Sequence, residues 1–152
     1  NELQLIVHPT VVELSQGDSS KNQATPVLDF LSEQELQILF FRQPLSVLAD
    51  KKENAYILLE RSLPVELLKQ HPCSHLCSIY LHVYTEIEAE VVIKTTLLQH
   101  AALQYRQFDS IANNLFNRRG NANSLKLSVP TLRQLSTLSN LSATNFRPKK
   151  KE

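Results

Sequence analysis

At 152 residues the chain is long enough for one hydrophobic core with a small helical annex, and 42% hydrophobic with 20% charged residues is ordinary globular content. Two glycines in the whole chain exclude a glycine-rich phosphate loop, and no apolar run approaches the roughly 18 residues of a membrane span. The net charge of +1 conceals a division: residues 1–100 hold 7 Lys and Arg against 13 Asp and Glu, a balance of −6, and residues 101–152 hold 9 against 2, a balance of +7. Nothing resembles a secretory leader, and a chain without Met is expected to be processed or trimmed at its start.

In chain order, Leu3 to Val7 predicts a short strand that Val11-Val12 extends past Pro9. Ser15 to Pro26 is polar and predicts a mobile loop over 15–26. Ser32 and Glu35 have capping-box spacing and start a helix running to about Phe40, with Leu31, Leu36, Leu39 and Phe40 on its apolar face. The apolar runs Pro44–Leu48 and Ala55–Leu59 flank the charged turn Asp50–Asn54 and predict a hairpin. Leu63 to about Gln70 predicts a helix with Pro64 in its first turn. Cys77 to Val83 predicts a strand, with Cys77, Ile79, Leu81 and Val83 on one face and Ser78, Tyr80 and His82 on the other.

A long helix follows. Thr85 and Glu88 form a second capping box, and Glu86, Glu88 and Glu90 suit the positive end of the helix dipole. Its expected buried stripe is Ile87, Val91, Leu98, Ala102 and Tyr105. Phe108 to Asn117 predicts a further helix, stopped by Gly120 in a polar loop over Asn117–Asn123.

The functional expectation rests on Pro130 to Arg147. Leu132, Leu135 and Leu138 share one helical face. Ser139-Asn140 is the expected break, because Asn tolerates left-handed backbone. Leu141 packs back, Ser142 caps a second helix, and Phe146 falls on its buried side. This is the residue pattern of a helix-turn-helix over 130–147, with Ser142–Arg147 as the helix for a DNA major groove. The series Leu135-Ser136-x-x-Ser139-Asn140-Leu141-Ser142-x-x-x-Phe146 resembles the DNA-reading unit of LacI-type repressors, with Asn140 where Gly is usual and Ser136 where Ala is usual. The expected DNA contacts are Ser142, Ala143, Thr144, Asn145 and Arg147 in the groove, with Arg133, Lys149 and Lys150 on phosphates. An amide bonds bidentately to adenine, so Asn145 is the expected base contact. A palindromic site needs two copies, so a homodimer on double-stranded DNA is the expected assembly.

The order of elements ahead of this segment resembles the ParB family of partition proteins, whose N-terminal domain is sulfiredoxin-like. Four stretches carry the resemblance across roughly Leu31 to Asn113: Leu36–Val47 with its Gln43-Pro44-Leu45-Ser46-Val47, Tyr56–Arg61, Leu81–Thr85, and Leu98–Leu103. It implies a CTP and magnesium site at Glu60, Arg61, Gln99 and His100, and a ParA-type ATPase as a possible partner. The family's Gly-Glu-Arg-Arg box stands here as Leu59-Glu60-Arg61-Ser62. Where the family has Glu, Asn and Arg in its helix motif, this chain has Thr96, Leu97 and His100. The missing groups bear the charge, so no resident cofactor is expected and the enzyme question stays open.

His71, Cys73, His75, Cys77 and His82 form the one metal-like cluster, without the distant second pair that a structural zinc site needs. The competing expectation is a helix-to-strand loop with Cys77 in the core and the histidines in solvent. No serine or cysteine nucleophile is placed beside a base and an acid, and the alternate Glu86, Glu88 and Glu90 splay around their helix. Two cysteines imply no disulfide framework and fit a reducing cytoplasm.

The expected protein is therefore mixed α/β of the α+β class: a ParB-like domain over 1–105 and a helical DNA-binding annex over 106–152. Its expected work is sequence-specific DNA binding in partition or transcriptional regulation of a plasmid or mobile element, without a membrane partner. The alternatives are a protein-interaction module with a degenerate nucleotide site and a ParB-like nuclease or CTP-dependent enzyme.

Overall fold

A computed structural model describes residues 4–18, 25–106 and 108–146. The fold is mixed α+β, and the chain divides into two compact units, Asn1–Ala101 and Ala102–Glu152. Among the described residues no helix is long and apolar enough to cross a membrane.

The first unit is built on a four-stranded sheet of order β1-β3-β2-β4, with β1 at Leu5–Val7, β2 at Leu45–Asp50, β3 at Ala55–Leu58 and β4 at Leu81–Tyr84. β2 and β3 form the expected hairpin. Its turn is fixed by the Asp50 carboxylate, which accepts from the Lys52 and Glu53 N–H groups at 3.0 and 3.4 Å, and by Asn54 at φ 49°. β1 runs parallel to β3, and β4 runs parallel to β2 with Ser46 opposite His82.

Strand alternation gives the sheet two apolar faces, and helices cover both. On one face α2 (Glu33–Phe41) and α3 (Leu63–Leu68) bring Leu36, Phe40, Val65 and Leu68 onto Leu45 and Val47. On the other, α1 (Pro9–Leu14) and α4 (Glu86–Lys94) bring Val11, Ala89 and Ile93 onto Leu48 and Leu59. Both predicted capping boxes form. Ser32 Oγ accepts from the Glu35 N–H at 3.1 Å while Glu35 accepts from the Ser32 N–H at 2.8 Å, and Glu88 accepts from the Thr85 N–H at 2.8 Å.

Several expectations fail for identifiable reasons. Val11 and Val12 lie in a helix, not a strand: Pro9 takes the first helical position, where its fixed φ fits, and His8 Nδ1 caps the turn by accepting from the Thr10 N–H at 3.1 Å. The predicted loop over 15–26 is described only at its ends, as 19–24 lie outside the described residues. The strand expected from Cys77 begins only at Leu81, because the Gln37 amide holds Ser78 in place of a ladder, accepting from its N–H at 2.8 Å and donating to its carbonyl at 2.9 Å.

The largest correction concerns the long helix. α4 continues through a π-helical segment, Thr95–His100, into α5 (Ala101–Tyr105). Its expected buried stripe points outward: Ile87 is 93% exposed, and Val91, Leu98, Ala102 and Tyr105 are exposed as well. The sheet takes the opposite face, Ala89 and Ile93, where the small Ala89 lets the helix approach closely.

In the second unit, α6 runs from Phe108 to Ser124, straight through Gly120. The expected stop fails because Gly120 keeps an ordinary helical backbone and faces open space, while half-buried Arg119 and Ala122 carry the helix past it. Arg119 Nε donates to the Pro130 carbonyl at 2.9 Å, which holds the following connection against α6. α7 (Leu132–Ser139) and a 3-10 turn, Ala143–Phe146, complete the unit.

Candidate nucleic-acid interface

α7 begins two residues after the expected Pro130. Thr131 is its cap, accepting at Oγ1 from the Gln134 N–H at 3.1 Å while Gln134 accepts from the Thr131 N–H at 2.8 Å. The Thr131/Gln134 box has the same three-residue spacing that marks Ser32/Glu35, so the sequence did contain this signal. Leu132 and Leu135 are half-buried, Leu138 lies at the margin, and Arg133 points to solvent.

The helix ends where Asn140 adopts φ 54°, ψ 29°, the left-handed conformation that Asn accepts at little cost. Two serines tie the turn together. The Ser136 hydroxyl donates to the Leu141 carbonyl; Ser139 Oγ donates to the Leu135 carbonyl at 2.7 Å and accepts from the Leu141 N–H at 3.3 Å. Short hydroxyl side chains thereby satisfy backbone groups that the end of the helix leaves unpaired.

Beyond the turn, Ser142 Oγ accepts from the Thr144 N–H at 3.3 Å, and the Asn145 N–H donates to the Ser142 carbonyl at 2.9 Å. The expected second helix is thus a single 3-10 turn within the described residues, and Arg147, Lys149 and Lys150 lie outside them. Phe146 is 1% exposed, and the 3-10 turn that carries it lies against α6 and α7. Ser142, Ala143, Thr144 and Asn145 stand outward together, and Arg133 is exposed on the preceding helix. The exposed turn therefore offers two hydroxyls, Ser142 Oγ and Thr144 Oγ1, bonded to each other at 2.6 Å, and an amide with both donor and acceptor ends.

The second predicted group, Glu60, Arg61, Gln99 and His100, comes together in part. Glu60 Oε1 accepts from the Ser46 N–H at 2.8 Å beside the β2 start. Burial raises its pKa above the usual carboxylate range, opposed by that hydrogen bond and by nearby His100 and His82. His82 was missed as a member of this group, although the Ser46–His82 register places it beside Glu60. Arg61 and Gln99 are exposed. A half-buried carboxylate facing this site is a poor fit to a triphosphate, because the two negative charges repel.

The His71–Cys77 stretch also departs from expectation. His71 is buried at 7% exposure; its Nδ1 accepts from the Cys73 N–H at 3.1 Å and its Nε2 lies 3.2 Å from the Leu31 carbonyl, joining the end of α3 to the start of α2. Cys77 is only partly buried, and burial, followed by the charges of Glu33 and Cys73, pushes its thiol pKa up. Among the described residues no group of three or more His, Cys, Asp or Glu side chains is placed to hold a metal ion.

The fold and site define a class by architecture: a mixed α+β unit followed by a helical unit that presents a short polar turn. Comparison with family models, curated proteins and solved structures gives no match to this chain.

Proposed function

We propose that the chain binds double-stranded DNA through its C-terminal unit, with the exposed turn at Ser142–Asn145 entering the major groove. The observation that carries this reading is the pairing of α7 with that turn across left-handed Asn140, anchored by Phe146 and exposing Ser142, Ala143, Thr144 and Asn145. The charge balance supports it: residues 101–152 hold 9 Lys and Arg against 2 Asp and Glu, and phosphate contacts supply most non-specific affinity. Asn145 is the base-reading group, and Arg133 contacts phosphate. A dyad-symmetric site takes two copies of the chain. The biological setting that accompanies the resemblance is partition, or transcriptional control, of a plasmid or mobile element.

The test is duplex binding by the full chain across a salt series. With five to eight phosphates engaged, log K should fall against log salt with a slope of about −4.5 to −7. Asn145→Ala should then reduce the preference for a selected site over random duplex while leaving that slope unchanged. No duplex binding at low salt would refute the reading and favour a protein-interaction module. Tight, magnesium-dependent CTP binding in a calorimeter would instead support the enzyme alternative.

A further inference from the structure

Cys73 and Cys77 are the chain's two cysteines, and the DNA reading uses neither. They flank a 3-10 turn, Ser74–Leu76, in the connection from α3 to β4. Two hydrogen bonds close that turn: the Leu76 N–H donates to the Cys73 carbonyl at 3.0 Å, and the Cys77 N–H to the Ser74 carbonyl at 3.1 Å. Both ends are also pinned from outside it. His71 Nδ1 accepts from the Cys73 N–H at 3.1 Å, and the Gln37 amide holds Ser78, the residue after Cys77, at 2.8 and 2.9 Å. Cys77 Sγ reaches back across the turn to lie 3.7 Å from the Cys73 carbonyl oxygen. Standard backbone bond lengths then place this sulfur within about 6 Å of the Cys73 Cα, close to the span that a disulfide bridges. Both thiols are only partly buried, and Cys77 lines a cleft with Gln34, Ile38 and Phe41 of α2, so a small molecule can reach the pair.

We infer that Cys73 and Cys77 are a redox-active pair, which a small disulfide oxidises reversibly to an intramolecular disulfide. The Cys73 thiolate attacks one sulfur of the incoming disulfide, whose S–S bond breaks; one half leaves as a thiolate and takes up a proton. Cys77 then gives up its proton and attacks the Cys73 sulfur, which forms the protein disulfide and expels the other half as a second thiol. Two protein thiols are oxidised, and one disulfide is reduced to two thiols. Cys77 takes the second step because burial, followed by the charges of Glu33 and Cys73, pushes its thiol pKa up, and a thiol held protonated is the poorer first attacker. The Glu33 charge also disfavours an anionic reagent, so the oxidant that fits is a neutral disulfide. The pair is read without DNA, so its failure and that of the DNA reading are separate results.

The test exposes the dilute full chain to 2-hydroxyethyl disulfide, which is small and neutral, in buffers with its reduced form, 2-mercaptoethanol. Intact mass after an acid quench should show the parent losing two hydrogens without an adduct, and excess 2-mercaptoethanol should reverse the loss. Cys77→Ser should stop instead at a mixed disulfide on Cys73, because no second thiol is there to displace the bound half. The fold holds the turn closed, so the equilibrium constant for closure should be about tenfold or more higher in native buffer than in urea, where the loop closes from an open ensemble. Adducts on both cysteines, disulfide-linked pairs of chains, or two thiols that stay free would overturn the inference. So would a Cys77→Ser chain without the adduct, or closure equally favourable in urea, since spacing along the chain and not the fold would then bring the sulfurs together.

Discussion

Replacing Phe146 with alanine tests the architecture beneath the proposed interface. Phe146 is 1% exposed, the most buried side chain described in the second unit, and the 3-10 turn that carries it contacts both α6 and α7. Cutting a buried Phe to Ala costs about 3–5 kcal/mol, from lost apolar transfer and from the cavity left behind. The unit Ala102–Glu152 has about 50 residues, which at typical values of 0.05–0.15 kcal/mol each gives roughly 2.5–7.5 kcal/mol of stability in all. One substitution is thus comparable to the whole margin. The full-length variant should lose helical signal from this unit at temperatures where the parent keeps it, and amide exchange over 111–124 and 132–139 should quicken, while the sheet of the first unit stays protected. Thr144→Ala, at an exposed position of the same turn, is the control and should melt within about 0.5 kcal/mol of the parent. If Phe146→Ala melts like the parent, the helical pair is not held from beneath, and the presentation of Ser142–Asn145 loses its physical basis.

Asn140→Gly should be neutral or slightly stabilising, whereas Asn140→Val should destabilise the second unit by about 1–2 kcal/mol, because a β-branched side chain clashes at φ 54°; equal melting of the two would contradict the left-handed turn. Gly120→Ala should raise stability by about 0.5–1 kcal/mol in a denaturant titration, since the position is helical and a Cβ would meet nothing within 4 Å; a loss would mean the helix does break there. Glu60 gives a signed pH effect. Its folded pKa lies above the ordinary 4.5, so between those two values the native state binds more protons than the unfolded one and stability falls as pH rises. Denaturant titrations across that window should show this fall in the parent and a smaller one in Glu60→Gln, which keeps an acceptor for the Ser46 N–H; identical slopes would refute the assignment.

Where a local signal has one structural solution, the sequence was enough to find the element. Ser32 and Glu35, three apart ahead of an apolar run, become a reciprocal cap, and Asp50–Asn54 becomes the hairpin turn it resembles. Asn140 is a similar case, since few residue types tolerate that backbone. The errors came from residues with two solutions. Pro9 serves equally as punctuation beside a strand and as the first residue of a helix, and the cap supplied by His8 decided for the helix. Gly120 is both a helix stop and a tolerable helix interior; about 1 kcal/mol is too small a penalty to stop a helix that has packing on both sides of it. His82 became visible as a neighbour of Glu60 only once Ser46 was paired with it, because register between strands that are not consecutive in sequence has no local signature.

α4 shows the same ambiguity at larger scale. Hydrophobic periodicity identifies an amphipathic helix by assuming one apolar face, yet this helix offers two: Ala89, Val92, Ile93 and Leu97 on one side, Ile87, Val91 and Leu98 on the other. Val92, Ile93 and Leu97 match Val91, Ile87 and Leu98 in size, so periodicity alone does not distinguish the two faces. Packing on a sheet favours the first, because Ala89 allows a closer approach than Ile87 would. A side chain as large as Ile87 turned 93% toward water is therefore not explained by the needs of the monomer's own core. An alanine or glutamate there would satisfy the helix equally well, and a glutamate would add to the favourable charge at its start. Both faces carry the same kinds of apolar side chain, which is why sequence periodicity found a stripe and assigned it to the wrong neighbour.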